Sequence, residues 1–282
     1  MSYAFTTEEI EYIRHGDTAQ PAKLYRPTGD GPFPIVLDLH GGAWCNGDLA
    51  DCDARDQVLA ASGLFVAALN FRHAGDGYPT SLQDINYAIR WFKANARRFN
   101  ARADQVGLSG TSSGGHLAML AAMRPADPRY AAVPLPAGSA AVDASVQCVV
   151  MQWPVINPIS RYRHARRLKE SANPPAWVGD IPSRHELYWK TEAAMTEASP
   201  PLILERGEAV QTPPALWIQG QPDPTHDYRD PESPVELNEP LRFALGYRKA
   251  GGYIETLYID QATKVSALSY DPTAAFFHRF LK

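Results

Sequence analysis

Residues 110 to 116 read Gly-Thr-Ser-Ser-Gly-Gly-His and follow the apolar run Gln105 to Leu108, a spacing that suits a serine nucleophile at Ser112. Glycine two places before and two places after that serine lets the chain turn sharply from strand to helix and lifts the hydroxyl out at the top of a sheet. Neither neighbouring serine has this frame, because Thr111 occupies the place a glycine would need to fill for both Ser109 and Ser113. Taken alone, the motif also fits a glycine-rich turn packing a helix on a sheet. A second pattern upstream separates the two readings: Phe33 to Leu39 runs into His40-Gly41-Gly42-Ala43-Trp44. A serine attacking an ester or amide carbonyl creates an oxyanion, and rigid backbone N–H groups at that point are worth about 3–4 kcal/mol per donor. Glycines behind a strand let the main chain come that close. Together the motifs read as acyl-transfer chemistry.

On these residues the chain resembles the α/β-hydrolase family, and within it the hormone-sensitive-lipase-like esterases, the carboxylesterases and the kynurenine formamidases. The matching stretches are Leu24 to Pro27, Pro34 to Trp44 with Gly47-Asp48, Gly110 to Ala118, and Trp217 to Asp223. The resemblance implies a nucleophile at Ser112, oxyanion donors in the backbone amides of Gly42, Ala43 and Ser113, and an acid at Asp223 after the seventh strand. It implies for His40 a role in holding its loop, not in proton transfer. One family residue does not carry over. The general base of such enzymes is a histidine in the loop after the last strand, here expected after Tyr253 to Ile259, and Asp260 to Pro272 contains none. By register it falls near Thr263, and Lys264 is the only basic side chain in that loop. An unactivated serine hydroxyl is a poor nucleophile at neutral pH, so a substitute base is required for catalysis.

Four residues are candidates. His226 follows Asp223 in Asp223-Pro224-Thr225-His226-Asp227, on a loop expected beside the nucleophile, and reads alternatively as an exposed histidine in a polar, proline-rich segment. Lys264 would serve in a Ser-Lys arrangement if desolvation lowered its pKa. His278 lies in an apolar C-terminal helix, where a packing or surface role suffices, and His116, one turn beyond Ser112, reads as a core histidine. The sequence leaves the base open. Three functions follow: a serine hydrolase of carboxylic esters, with an arylformamidase-type amide substrate as a variant; a binding protein on the same scaffold, as in the plant gibberellin receptors, which resemble these esterases but lack the base histidine; or a lineage that lost its histidine and retains slow turnover, in which Thr263→His would raise the rate.

These residues need a scaffold, and apolar strand-like runs alternating with helix-like segments predict one. The fold class is α/β, with a mostly parallel central sheet, helices on both faces and a small cap insertion. Strands are predicted over 22–25, 35–39, 65–70, 105–109, 146–152, 215–219 and 253–259. Leu82, Ile85, Ala88, Ile89, Trp91 and Phe92 recur at helical spacing, with Asp84, Arg90 and Lys93 elsewhere on the wheel, so this segment packs one face on the sheet. A length of 282 residues fits one α/β domain. The segment 154–207 interrupts the strand-helix rhythm and is read as the cap. Its neighbourhood holds Trp153, Trp177, Tyr188, Trp189 and Met195, which suit an apolar pocket or pack the cap onto the body. Arg161, Arg163, Arg166, Arg167 and Lys169 form a basic cluster that attracts an anion or solvates a helix face, with Glu192, Glu197 and Glu205 nearby to offset it.

Composition narrows the partners. A net charge of −4 gives no reason to expect nucleic-acid binding. The N-terminus lacks the basic start and apolar core of a signal peptide, and no apolar run is long enough to cross a bilayer. Cys45, Cys52 and Cys148 are sparse, without metal-like spacing, and suit a reducing compartment, so a cytoplasmic location is expected. No metal or dinucleotide pattern is present, and Asp51, Asp53 and Asp56 lack the glycine and distal glutamate of a calcium loop. The expectation is cofactor-free chemistry on a small-molecule ester or amide.

Overall fold

The structure, a computed structural model, describes residues 2–260 and 267–282. Thr263 and Lys264, the family position for the base and the Ser-Lys candidate, lie outside the described residues. Eight strands form one sheet in the order β1-β2-β4-β3-β5-β6-β7-β8. They are β1 (Phe5–His15), β2 (Thr18–Pro27), β3 (Phe33–Leu39), β4 (Phe65–Leu69), β5 (Ala101–Thr111), β6 (Cys148–Gln152), β7 (Ala215–Gln221) and β8 (Ile254–Asp260). The first two strands pair antiparallel, as do β2 and β4, while β4 through β8 run parallel. The helices are α1 (Asp53–Ala61), α2 (Thr80–Ala94), α3 (Ser113–Met123), α4 (Pro158–Lys169), α5 (Ile181–Trp189), α6 (Glu192–Glu197), α7 (Pro200–Glu205), α8 (Glu239–Lys249) and α9 (Ala267–Phe280).

Strand periodicity divides the core into two layers. Ile35, Leu37 and Leu39 join Phe65, Ala67, Val149, Met151 and Trp217 on the face covered by α2, α3 and α8. The alternate residues Val36, Val66, Val150, Leu216 and Ile218 face α1 and α9. Burial on both faces explains why these strands read as apolar runs without polar alternation. Both layers converge on the C-terminal ends of β3, β5 and β7, from which the 40–44 turn, the 110–114 turn and the 222–228 loop emerge. Helices α4 to α7 occupy the chain between β6 and β7. Among the described residues no helix is long and apolar enough to cross a membrane.

Two features go beyond the sequence expectations. Strand β1 was not predicted, because Thr6, Thr7, Glu8 and Glu9 on this edge strand are largely exposed and its polar sequence gives no buried run. Its partner register with β2, closing at His15 and Thr18, is a tertiary choice. Asp84, off the apolar stripe of α2, does not face solvent. It is fully buried and accepts hydrogen bonds from Arg72 Nη2 at 2.7 Å and the Arg72 backbone amide at 2.8 Å, with His15 Nε2 at 2.7 Å. Of the predicted stripe, Leu82, Ile85, Ala88, Ile89 and Phe92 are buried on α2, while Trp91 is only half-buried.

Candidate active site

Ser112 takes φ 53° and ψ −115° between the end of β5 and the start of α3, a conformation that L-residues rarely adopt. Hydrogen bonds hold it there: its amide donates to Gln152 O at 2.9 Å, and its carbonyl accepts from Val155 N at 3.0 Å and His116 N at 3.2 Å. The flanking glycines are required by close approach. A Cβ on Gly110 would lie 2.4 Å from Gly114 O, and one on Gly114 would lie 2.2 Å from Leu39 O. Behind the turn, on the α1 and α9 face, Arg55 donates to Thr111 Oγ1 at 2.8 Å, to Gln152 Oε1, and through Nη2 to both oxygens of Asp38 at 2.6 and 2.7 Å. A buried cation thus ties together the residue before Ser112 and the residue that receives its amide. Asp56, beside this pair, has its pKa pushed well above its ordinary value by burial and by Asp38.

The 40–44 turn lies against Ser112: a Cβ on Gly41 would be 3.4 Å from that of Ser112. Gly42 has φ 101°, and any side chain there would meet Asn46 O at 2.1 Å. Ala43 and Trp44 follow with φ 51° and 60°. Main-chain bonds from Cys45 N and Asn46 N to Gly42 O close the turn. Among the described residues the amides of Gly42, Ala43 and Ser113 donate to no loop or turn carbonyl, Ser113 being the first residue of α3, where helix N–H groups lack intrahelical partners. His40 pins the turn from behind. Its Nδ1 donates to Gly41 O at 2.9 Å and its ring stacks on Phe71 at 4.3 Å, while burial lowers its pKa.

Trp44 anchors the other end. Its buried indole donates from Nε1 to His116 Nδ1 at 3.3 Å and packs edge-on against His185 and Trp189 of α5. His116 Nε2 donates to Ala198 O at 2.9 Å, so both ring nitrogens are occupied, and burial pulls its pKa down to about 4. It is a core histidine. His278 bonds Ser62 Oγ at 3.0 Å on the opposite face of the sheet.

His226 is the histidine that meets Ser112. The Ser112 Oγ to His226 Nε2 distance is 3.0 Å, and His226 Nδ1 lies 2.9 Å from Asp223 Oδ2 and 3.1 Å from Oδ1. A single helical turn makes this possible: His226 N and Asp227 N both donate to Asp223 O, at 3.1 and 2.8 Å, folding the ring back over its own carboxylate. Gln219 Nε2 donates to Asp223 Oδ2 at 3.0 Å and fixes the acid from the strand side. With Nδ1–H directed at the carboxylate, Nε2 is left as the acceptor facing the serine hydroxyl. The side chains of His226 and Asp223 are 11% and 2% exposed, so the reading of His226 as a solvated loop residue does not hold.

The segment between β6 and β7 packs more than it opens. Tyr188, Trp189 and Met195 are buried in the same core as Trp44, so they do not line an open pocket. The basic cluster is divided: Arg163 pairs with Glu192 and Glu232 at 2.7 Å, and Arg167 with Glu232 at 2.8 Å, whereas Arg161 points inward. Glu197 and Glu205 pair instead with Arg124 and Arg242. Sequence reading missed Arg55 and named Arg161 only as part of the basic cluster. Neither lies in a motif, and only the fold brings them to the site.

Sheet order, strained serine turn and facing glycine turn define an α/β-hydrolase fold. The chain belongs to the BD-FAE family, whose model matches residues 23–233. It is similar to the probable carboxylic ester hydrolase LipM of Mycobacterium tuberculosis, 32% identical over 43% of this chain and 29% of that protein, and to the ethyl acetate hydrolase of Pseudomonas putida, 29% identical over 76% of this chain and 64% of that protein. The chain thus aligns with under a third of LipM. A hyperthermophilic esterase from Pyrobaculum calidifontis shares the fold with a TM-score of 0.73, at 21% identity over 97% of this chain and 85% of that one.

Proposed function

We propose that the protein hydrolyses carboxylic esters through an acyl-enzyme on Ser112. His226 Nε2 takes the hydroxyl proton as Ser112 Oγ bonds to the carbonyl carbon, Asp223 stabilises the imidazolium that forms, and the amides of Gly42, Ala43 and Ser113 receive the oxyanion. Collapse breaks the bond to the alcohol, which leaves with the proton from His226. Water then attacks the acyl carbon, its proton passing to His226, which hands it to Ser112 Oγ as the bond to the acyl carbon breaks and the acid departs. Helices α4 to α7 act as the cap over this site.

The 3.0 Å contact of Ser112 Oγ with His226 Nε2, continued to Asp223, carries the reading. It supplies an activated serine where the family position for the base has no histidine, and it favours hydrolysis over a binding-only scaffold. Short p-nitrophenyl esters and N-formyl aryl amides assayed in parallel test the activity and separate ester from amide preference. A fluorophosphonate should label Ser112 in the native protein and not in Ser112→Ala. Tight ligand binding with neither turnover nor labelling would refute the proposal.

A further inference from the structure

A buried guanidinium with no carboxylate opposite it is uncommon, because an unpaired charge loses its hydration without compensation. Among the described residues Arg161 on α4 makes no ion pair, although the Asp223 carboxylate acts on its charge. It is 3% exposed, and among the described residues its Nε has no hydrogen-bond partner. Its Nη1 donates to Thr225 O at 2.9 Å, and its guanidinium lies over the Trp177 ring at 5.0 Å. Burial lowers its pKa to about 10, with Tyr228 and Asp223 opposing that shift, so it carries its charge at neutral pH.

Thr225 is the residue between Pro224 and His226, and its carbonyl begins the peptide that ends at the His226 amide. The base is held by one short turn and by its own Asp223, an arrangement that fixes the ring relative to the turn and leaves the turn itself to be placed. Gln219 fixes the front of the turn through Asp223, and Asn238 the back through Asp227. Arg161 holds the middle. Its own helix start is rigid: the Asn157 side chain accepts from Ser160 N at 3.3 Å and Ser199 Oγ at 2.9 Å and donates to Glu239. We infer that Arg161 is a positioning residue, whose hydrogen bond to the Thr225 carbonyl keeps the His226 ring within reach of Ser112. The inference rests on the reading of Ser112 and His226 as nucleophile and base.

A double-mutant cycle on p-nitrophenyl acetate tests it. Arg161→Met should lower kcat about 10- to 100-fold, the scale of a displaced catalytic group, with KM changed less than about twofold. Arg161→Lys, which retains a cationic donor, should recover most of the loss. In a His226→Gln background, where no base remains to be placed, Arg161→Met should cost less than about twofold further. Losses that multiply in the double variant, or wild-type kcat in Arg161→Met, overturn the inference while leaving His226 as base. Wild-type kcat in His226→Gln overturns both. If Arg161→Met fails to fold, Arg161→Gln enters the same cycle with the same expectations.

Discussion

Replacing His226 by glutamine keeps a polar side chain of similar length and removes the ability to accept and carry a proton. The ring makes one contact to Ser112 at 3.0 Å and backs onto a carboxylate that is nearly inaccessible to water, so both general-base transfer and stabilisation of the imidazolium are lost together. General-base transfer alone is worth roughly 10²–10⁴, and disabling a serine triad costs about 10⁴ or more. We therefore expect kcat to fall by about 10⁴, equivalent to about 5.4 kcal/mol of transition-state stabilisation. KM should move less than about threefold, since the ring has no role in ground-state binding in this mechanism. Stability should change by only about 1–2 kcal/mol, because one hydrogen bond to Asp223 is lost while Gln219 still donates to it. Steady-state hydrolysis of p-nitrophenyl acetate, the rate of fluorophosphonate labelling and a urea melt measure all three. A folded His226→Gln protein that hydrolyses and labels at the native rate would refute the assignment of the base.

Other perturbations probe the supporting structure. Gly42→Ala places a methyl 2.1 Å from Asn46 O at a φ of 101°, and should lower kcat by at least about 10², read by the same ester assay; a normal rate would remove the 40–44 turn from the mechanism. Arg55→Met strips the buried Asp38 carboxylate of its bidentate partner and should destabilise by about 3–5 kcal/mol, seen in urea unfolding; an unchanged midpoint would show that the Asp38 charge is compensated elsewhere. The pKa of His116 falls from its ordinary 6.5 to about 4 in the fold, so between those values the unfolded chain binds the extra proton. Stability therefore rises with pH across that window, is complete above 6.5, and is lost as pH falls. Between pH 6.5 and 5 this group contributes a loss of about 1.6 kcal/mol, and urea titrations of His116→Leu should show a change over that range smaller by that amount. Equal slopes would contradict the buried neutral imidazole.

Much of the scaffold was legible in the sequence because its signals are local. The apolar runs of β3, β4, β6 and β7 must be buried on both faces, and the helical stripe of α2 declares one buried side. Where the signal was weak the reading stopped: the polar edge strand β1 has no buried run, and the burial of Asp84 depends on Arg72 and His15, which come from other elements. The aromatics between β6 and β7 look alike in sequence, yet Tyr188 and Trp189 pack on Trp44, a contact set by the path of α5.

The sequence by itself determined where a serine turn forms, because the glycines around Ser112 answer a steric demand made within a few residues. It also determined that the family's base position holds no histidine. Only the tertiary structure decided which histidine meets Ser112, since residues far apart in the chain reach 3.0 Å through the ends of β5 and β7 and the shape of one short turn. Composition carries no trace of such a distance. It is fixed by how the strands pair and by where buried groups such as Arg161 hold the loops between them.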